Sequence, residues 1–149
     1  MESERKEDLS VYYFLVDLFS DVPMVHIVDA FPTDDLVIPT VSVETRRIDT
    51  FKYELGSRKR VSLRSWYIDV FAQNKSQRDE MAYRLKTALE ECIPVYDYDE
   101  GFPPDVTPTR LGCLNVEDIT VEWIRVMPDL VSKLYYRATV TFTAIYDQF

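Results

Sequence analysis

Apolar and polar residues alternate most regularly in two stretches of the chain, 61–72 and 137–146. Because successive side chains of a β-strand point to opposite faces, this alternation predicts two strands. Aromatic residues stand on both faces of the first stretch, with Trp66, Ile68 and Val70 on one and Tyr67, Asp69 and Phe71 on the other. We therefore expect this strand to lie in the centre of a sheet.

Apolar residues recur with helical spacing from Asp8 to Ser20 and predict a first helix within residues 1–22. Pro23 follows closely after its end, where helices commonly stop. From Tyr12 to Phe19 the helix is apolar nearly all round. This composition is typical of a helix that is buried on more than one side, in the core or against a partner.

A second helix is predicted after the polar joint 73–75. Ser76 fits its N-cap position, and Asp79 stands where the acidic residue of a capping box would be. Pro94 marks the end of the helix. Its apolar side is formed by Met81, Leu85, Ala88, Leu89 and Cys92.

The remaining strands are predicted from short apolar or alternating runs bounded by turn residues. They lie at 24–28, 41–44, 48–55 and 116–126. The third of them forms a hairpin with the strand at 61–72, around a turn that contains Gly56.

The order of these elements predicts one α+β domain over residues 1–149. Its mainly antiparallel sheet carries two helices packed on one face. A protruding β-hairpin, residues 46–64, forms a basic arm. Residues 94–110 are predicted as an acidic loop that is rich in proline.

Composition favours a globular protein with a net acidic surface. The chain has 149 residues, of which 46% are hydrophobic, and a formal net charge of −9. That charge argues against broad binding of nucleic acid, which needs a basic surface. The charged N-terminus is not a signal peptide, and no apolar stretch is long enough to cross a bilayer. Cys92 and Cys113 are expected to be packed thiols in a reducing cytosol.

The residues offer little for catalysis. His26, the only histidine, lies in a predicted strand without a catalytic motif nearby, so we interpret it as structural. The run from Asp97 to Gly101 resembles the opening of a calcium loop, but its glycine comes one place early and the closing glutamate is missing. We therefore predict a protein that is not an enzyme and holds no metal or cofactor. A metal-dependent enzyme that uses the acidic loop is the less favoured alternative.

Charge is distributed unevenly along the chain. From Arg46 to Arg64 there are seven basic and two acidic residues, a net charge of +5, whereas Glu90 to Asp105 carries six acidic residues and no basic one. Each run alone is typical of a solvated surface, but two opposite patches also suit head-to-tail contact between copies. The candidate contact residues are Arg46, Arg47, Arg58, Lys59 and Arg60, with Asp97, Asp99 and Glu100 as the complementary acidic patch.

Five segments in succession resemble the neck proteins of tailed bacteriophages. They are Glu54–Gly56, Ile68–Ala72, Gln77–Glu80, Ile93–Tyr98 and Tyr136–Val140. The chain looks most like the tail terminator, or tail completion, proteins of long-tailed phages. The likeness covers residues 36–149 and is one of pattern and order.

The resemblance implies a structural virion protein at the head–tail junction, assembled in the cytoplasm of the host bacterium. Such a subunit forms a ring, expected to be a hexamer, that caps the completed tail tube. Its implied partners are copies of itself, the tail tube protein and the head connector. Genomic DNA would pass through the lumen without sequence specificity, and no membrane is involved. A head-closure protein or a monomeric binding module with a tyrosine-rich surface remains an alternative.

Overall fold

The structure, a computed structural model, describes residues 1–30, 38–52, 60–124 and 136–148. Two helices and six strands follow one another along these parts of the chain, which confirms the predicted α+β class. The helices are α1 (Ser3–Leu18) and α2 (Lys75–Leu89). The strands are β1 (His26–Val28), β2 (Thr40–Lys52), β3 (Arg60–Phe71), β4 (Ile93–Asp97), β5 (Thr109–Ile124) and β6 (Arg137–Gln148).

The six strands form one sheet in the order β1-β2-β3-β6-β5-β4. All neighbouring strands are antiparallel except β1 and β2, which are parallel. The two most regularly alternating strands, β3 and β6, therefore lie in the centre, as predicted for β3. Their register places Trp66 beside Phe142, and the two rings stack with their centroids 5.1 Å apart.

The hydrophobic core lies on one face of the sheet. Side chains of both helices join the strands in a single buried cluster, so α1 and α2 cover this face. The opposite face carries the threonines of β6, and no described helix contributes side chains to it. The main members of the cluster are Val11, Leu15, Met81, Leu85, Leu89, Trp66, Ile68, Val70, Val140 and Phe142.

The strands predicted separately at 41–44 and 48–55 are one continuous strand, β2. A β-bulge between Thr45 and Arg47 inserts one extra residue opposite β3. A bulge shifts the alternation of side chains by one position. The pattern along the sequence therefore breaks although the strand does not.

The prediction of a loop throughout 94–110 is wrong at both ends, because Thr109 and Arg110 already belong to β5. Residues Ile93–Asp97 form β4, which pairs with β5 at the edge of the sheet. Proline cannot donate a ladder hydrogen bond, but an edge strand tolerates it on the unpaired side. Pro94 is thus part of a strand, and a loop begins only after Asp97.

Helix α1 lies within the predicted range 1–22 and starts at Ser3, before the apolar repeat that begins at Asp8. Helix α2 begins earlier than predicted, because its N-cap is Asn74 rather than Ser76. The Asn74 side chain accepts a hydrogen bond of 2.8 Å from the Gln77 N–H. The Gln77 side chain in turn accepts one of 2.8 Å from the Gln73 N–H. This reciprocal pair fills the role that the sequence assigned to Ser76 and Asp79.

Candidate functional site

The end of the hairpin formed by β2 and β3 separates from the neighbouring strand β6. The two hairpin strands pair as far as Lys52 and Arg60, whereas β6 pairs with β3 only to Leu63 and then stays with β5 as far as Gln148. The end of the hairpin is thus a two-stranded ribbon within the described residues. The predicted contact residues Arg58 and Lys59 lie outside the described residues, and Arg60 is described by its backbone alone.

Apolar side chains are exposed on this arm. Ile48 is 44% exposed and Phe51 is 48% exposed, although both belong to a regular strand. Phe51 stands opposite Val61 in the register of the ribbon. A two-stranded ribbon is only marginally stable by itself in water. Ile48 and Phe51 are three positions apart, so they lie on opposite faces of the hairpin, where each is exposed to solvent.

Arg46 and Arg47 lie at the bulge of β2, and both are exposed. The Nε of Arg46 donates a hydrogen bond of 3.1 Å to the hydroxyl of Tyr67, and its guanidinium lies 5.6 Å from the centre of that ring. Arg47 forms an ion pair of 2.7 Å with Asp49. The two arginines are therefore held at the base of the arm and still reach solvent.

Arg64 was counted with the basic surface, but it is buried beneath α1 and only 2% exposed. Its guanidinium donates a 2.9 Å hydrogen bond to the Asp8 carboxylate and another of 2.9 Å to the Glu4 carbonyl. The same Asp8 oxygen accepts a 2.9 Å hydrogen bond from the Trp66 indole. This network joins the root of the arm to the first helix. In the alternating pattern of the sequence, Arg64 falls on the same face of the strand as Trp66. This position could have indicated that Arg64 is buried.

Glu7 is buried beside this network. One carboxylate oxygen lies 3.8 Å from the Arg64 guanidinium, which is too long for a hydrogen bond. Burial raises the pKa of Glu7 to about 7, and the positive charge of Arg64 opposes that rise. The carboxyl therefore changes its charge near neutral pH.

Two of the three predicted acidic contact residues bind the first helix of their own chain. The Lys6 ammonium lies 3.1 Å from Asp97 and 2.9 Å from Asp99, and the N-terminal amino group lies 3.2 Å from Asp99. Hydrogen bonding from Lys6 lowers the pKa of Asp99. Glu100 is exposed. The acidic patch is thus partly neutralised within the chain.

The basic and acidic candidates are not brought together. Arg46 and Arg47 stand on β2, and the acidic residues follow β4 on the far side of the sheet, with β3, β6 and β5 between. A contact between them would therefore need a second molecule.

Several other predicted features can be placed. In the described part of the chain, no group of three or more His, Cys, Asp or Glu side chains is arranged to hold a metal. His26 is an exposed residue at the start of β1. Cys92 and Cys113 are free thiols, the Cys113 thiol donates to the Asn115 side-chain oxygen at 3.7 Å, and burial raises the pKa of Cys113. Neither described helix is long and apolar enough to span a membrane.

Many tyrosines are used within the chain rather than on its surface. The ring of Tyr98 is buried and lies 5.4 Å from that of Tyr13 and 6.0 Å from that of Phe102. Tyr83 is exposed and lies 5.8 Å from the exposed Trp123, between α2 and β5. The Trp123 indole donates a 2.8 Å hydrogen bond to Asp79. This aromatic pair was not predicted from the sequence.

The open face of the sheet carries a shallow basin of about 380 Å³. Threonine hydroxyls of β5 and β6 line it, with Arg46 at one side and Asp118 and Glu122 at the other. Because the lining side chains carry both positive and negative charges, the basin does not define a site for one class of small ligand.

Comparison with known proteins gives similarity to solved structures alone. No family model matches the chain, and no curated protein matches it. Among solved structures, the chain is similar to one described as "Virion of native gene transfer agent (GTA) particle", at 12% identity and a TM-score of 0.45, with 95% of each chain covered. A TM-score below 0.5 at this identity supports no conclusion about function.

Proposed function

We propose that the protein is a structural subunit of a phage-related virion neck. In this proposal it caps the completed tail tube as a ring and offers the surface at which head and tail join. Its role is to provide contact surfaces: one surface contacts the next copy, and two others contact the tail tube and the head connector. The protein is not an enzyme in this proposal.

The observation that carries the proposal is the hairpin arm. Beyond Leu63 it is no longer paired with β6, and it exposes Ile48 and Phe51, while its root is fixed to α1 through Arg64 and Asp8. An arm that is anchored at its root and exposes both apolar and basic side chains is suited to contact a neighbouring subunit. The resemblance of the sequence to tail terminator proteins supports the same role.

The basic residues near the arm's tip have a second proposed role. In a ring, Arg58, Lys59 and Arg60 would lie close to the lumen or to the next subunit. Basic side chains bind phosphates without reading base sequence. DNA would therefore pass them with weak, salt-dependent contacts, which is what a conduit requires.

Electron microscopy of tail tubes mixed with purified protein tests the proposal. We expect rings on one end of each tube, and we expect Arg58→Glu with Lys59→Glu to reduce capping at least tenfold. Lys75→Glu with Lys86→Glu is the matched control, because both lysines are exposed on α2. Rings on head connectors but never on tubes would favour a head-closure role instead. Protein that binds neither, and forms no ring, would refute the neck assignment.

A further inference from the structure

The outer side of β2 is open along most of its length. The first strand pairs only with Thr40–Ser42. From Thr45 to Lys52, no described strand lies on that side. Open strand edges present backbone groups to which another strand can bond.

The outer side of β5 is open at the opposite edge. The edge strand β4 pairs with β5 only between Thr109 and Leu114. No described strand lies beside the outer side of residues 115–124. The sheet therefore has two open segments, one near each edge.

The register of the sheet places these two segments at the same level. Arg47 is opposite Ser65, Ser65 is opposite Thr143, and Thr143 is opposite Asp118. Both strands also bulge at this level. The extra residues are Arg46 in β2 and Glu117 in β5.

The two bulges carry opposite charges. Arg46 and Arg47 are exposed at one edge, and Glu117 and Asp118 are exposed at the other. Within the described ranges, neither Glu117 nor Asp118 forms an ion pair. At one level of the sheet the β2 edge is thus basic and the β5 edge acidic, and Arg47 also pairs with Asp49 of its own strand.

Strand direction also fits a contact between copies. Three antiparallel pairings separate β2 from β5, so these two strands run in opposite directions. Cyclic symmetry keeps every copy in the same orientation and shifts none along the axis. With strands running along that axis, β2 of one copy would meet β5 of the next in antiparallel fashion and at the same level.

We infer that the β2 edge at Arg46 and Arg47 docks against the β5 edge at Glu117 and Asp118 of a second copy of this chain. This inference rests on the proposed ring and names its subunit interface. It also replaces the patch of Asp97, Asp99 and Glu100 as the acidic side of the contact, since Lys6 occupies two of those carboxylates.

Complementary charge reversal tests this interface by analytical ultracentrifugation at low salt, where such contacts are least screened. Arg46→Glu with Arg47→Glu, and separately Glu117→Lys with Asp118→Lys, should each lower the apparent association constant about tenfold or more. A 1:1 mixture of the two variants should restore it to within about threefold of the original, because every contact then pairs opposite charges. Lys75→Glu with Lys86→Glu should assemble like the unmodified protein.

The outcomes separate this inference from the proposed function. Circular dichroism and the melting temperature confirm that each variant is folded, which their exposed positions predict. Variants that assemble normally would overturn the interface and leave the ring proposal intact. Variants that fail alone and also fail when mixed would show that the two edges do not contact each other, which would also overturn the interface. Unmodified protein that neither self-associates nor caps tubes would overturn both.

Discussion

Arg64 donates a hydrogen bond of 2.9 Å to Asp8, and this contact joins the central strand β3 to α1. The guanidinium also lies 4.7 Å from the centre of the Trp66 ring. A buried cation is tolerated when hydrogen bonds and an anion compensate for its lost hydration. The arm and the first helix are therefore held in one orientation by a few polar atoms.

Asp8→Ala should destabilise the protein by about 2–4 kcal/mol, because it leaves the Arg64 charge and the Trp66 indole without their acceptor. Chemical denaturation measures the loss. Asp17→Ala is the matched control, since Asp17 is an exposed carboxylate on the same helix. Equal effects of the two substitutions would contradict the importance of the buried network.

Glu7 should make stability depend on pH. Its pKa is about 7 in the folded protein against an ordinary 4.5, so the folded state holds the proton more tightly than the unfolded state. The free energy of unfolding should therefore fall as pH rises from about 4.5 to about 7. Glu7→Gln should stabilise the protein by about 1–3 kcal/mol at pH 8 and by little near pH 4.5.

The control for this effect is Glu4→Gln, which removes the same charge from an exposed position one turn away. Thermal melts of both variants at pH 5 and pH 8 are compared. If Glu7→Gln raised the melting temperature equally at both pH values, titration of Glu7 would be ruled out as the cause.

Asn74→Ala should cost about 1 kcal/mol, because the first turn of α2 loses the side chain that accepts the Gln77 N–H. Ser76→Ala should have almost no effect, since Ser76 lies inside the helix and not at its cap. Urea denaturation separates the two. A larger loss of stability for Ser76→Ala than for Asn74→Ala would instead support Ser76 as the N-cap residue, as the sequence predicts.

Phe51→Ser should weaken assembly and leave the melting temperature nearly unchanged, because this exposed ring contributes little to the core. Met24→Ser is a suitable comparison, as Met24 is even more exposed but lies away from the arm. Sedimentation and thermal melts of the two variants decide the matter. Loss of folding in Phe51→Ser would instead assign the ring a role within the subunit.

The regular parts of the fold follow from local patterns. Strand β6 alternates regularly, β3 is a run of strand-forming residues with aromatic rings on both faces, and the buried side of α2 repeats at Met81, Leu85 and Leu89. These elements can be predicted without tertiary information. Strand β4 was missed because Pro94 and its acidic neighbours are typical of loops. Only its place at the edge of the sheet makes that composition acceptable.

The candidate site was harder to predict, because it depends on which strands become neighbours. The sequence predicted Asp97 and Asp99 as part of the acidic contact patch, because they lie in an acidic run. In the fold, both carboxylates form ion pairs with Lys6 of the same chain. The alignment of Arg47 with Asp118 across four strands appears only when the register is known. The bulges that create it also interrupt the alternation from which strands are predicted.

Native mass spectrometry of the purified protein, over a range of concentration and salt and with tail tubes added, distinguishes a ring from a monomer. We expect a closed oligomer of one fixed stoichiometry, which weakens as salt increases and is found again on the ends of tubes. A monomer at every concentration and salt, with no ring on any tube, would contradict it.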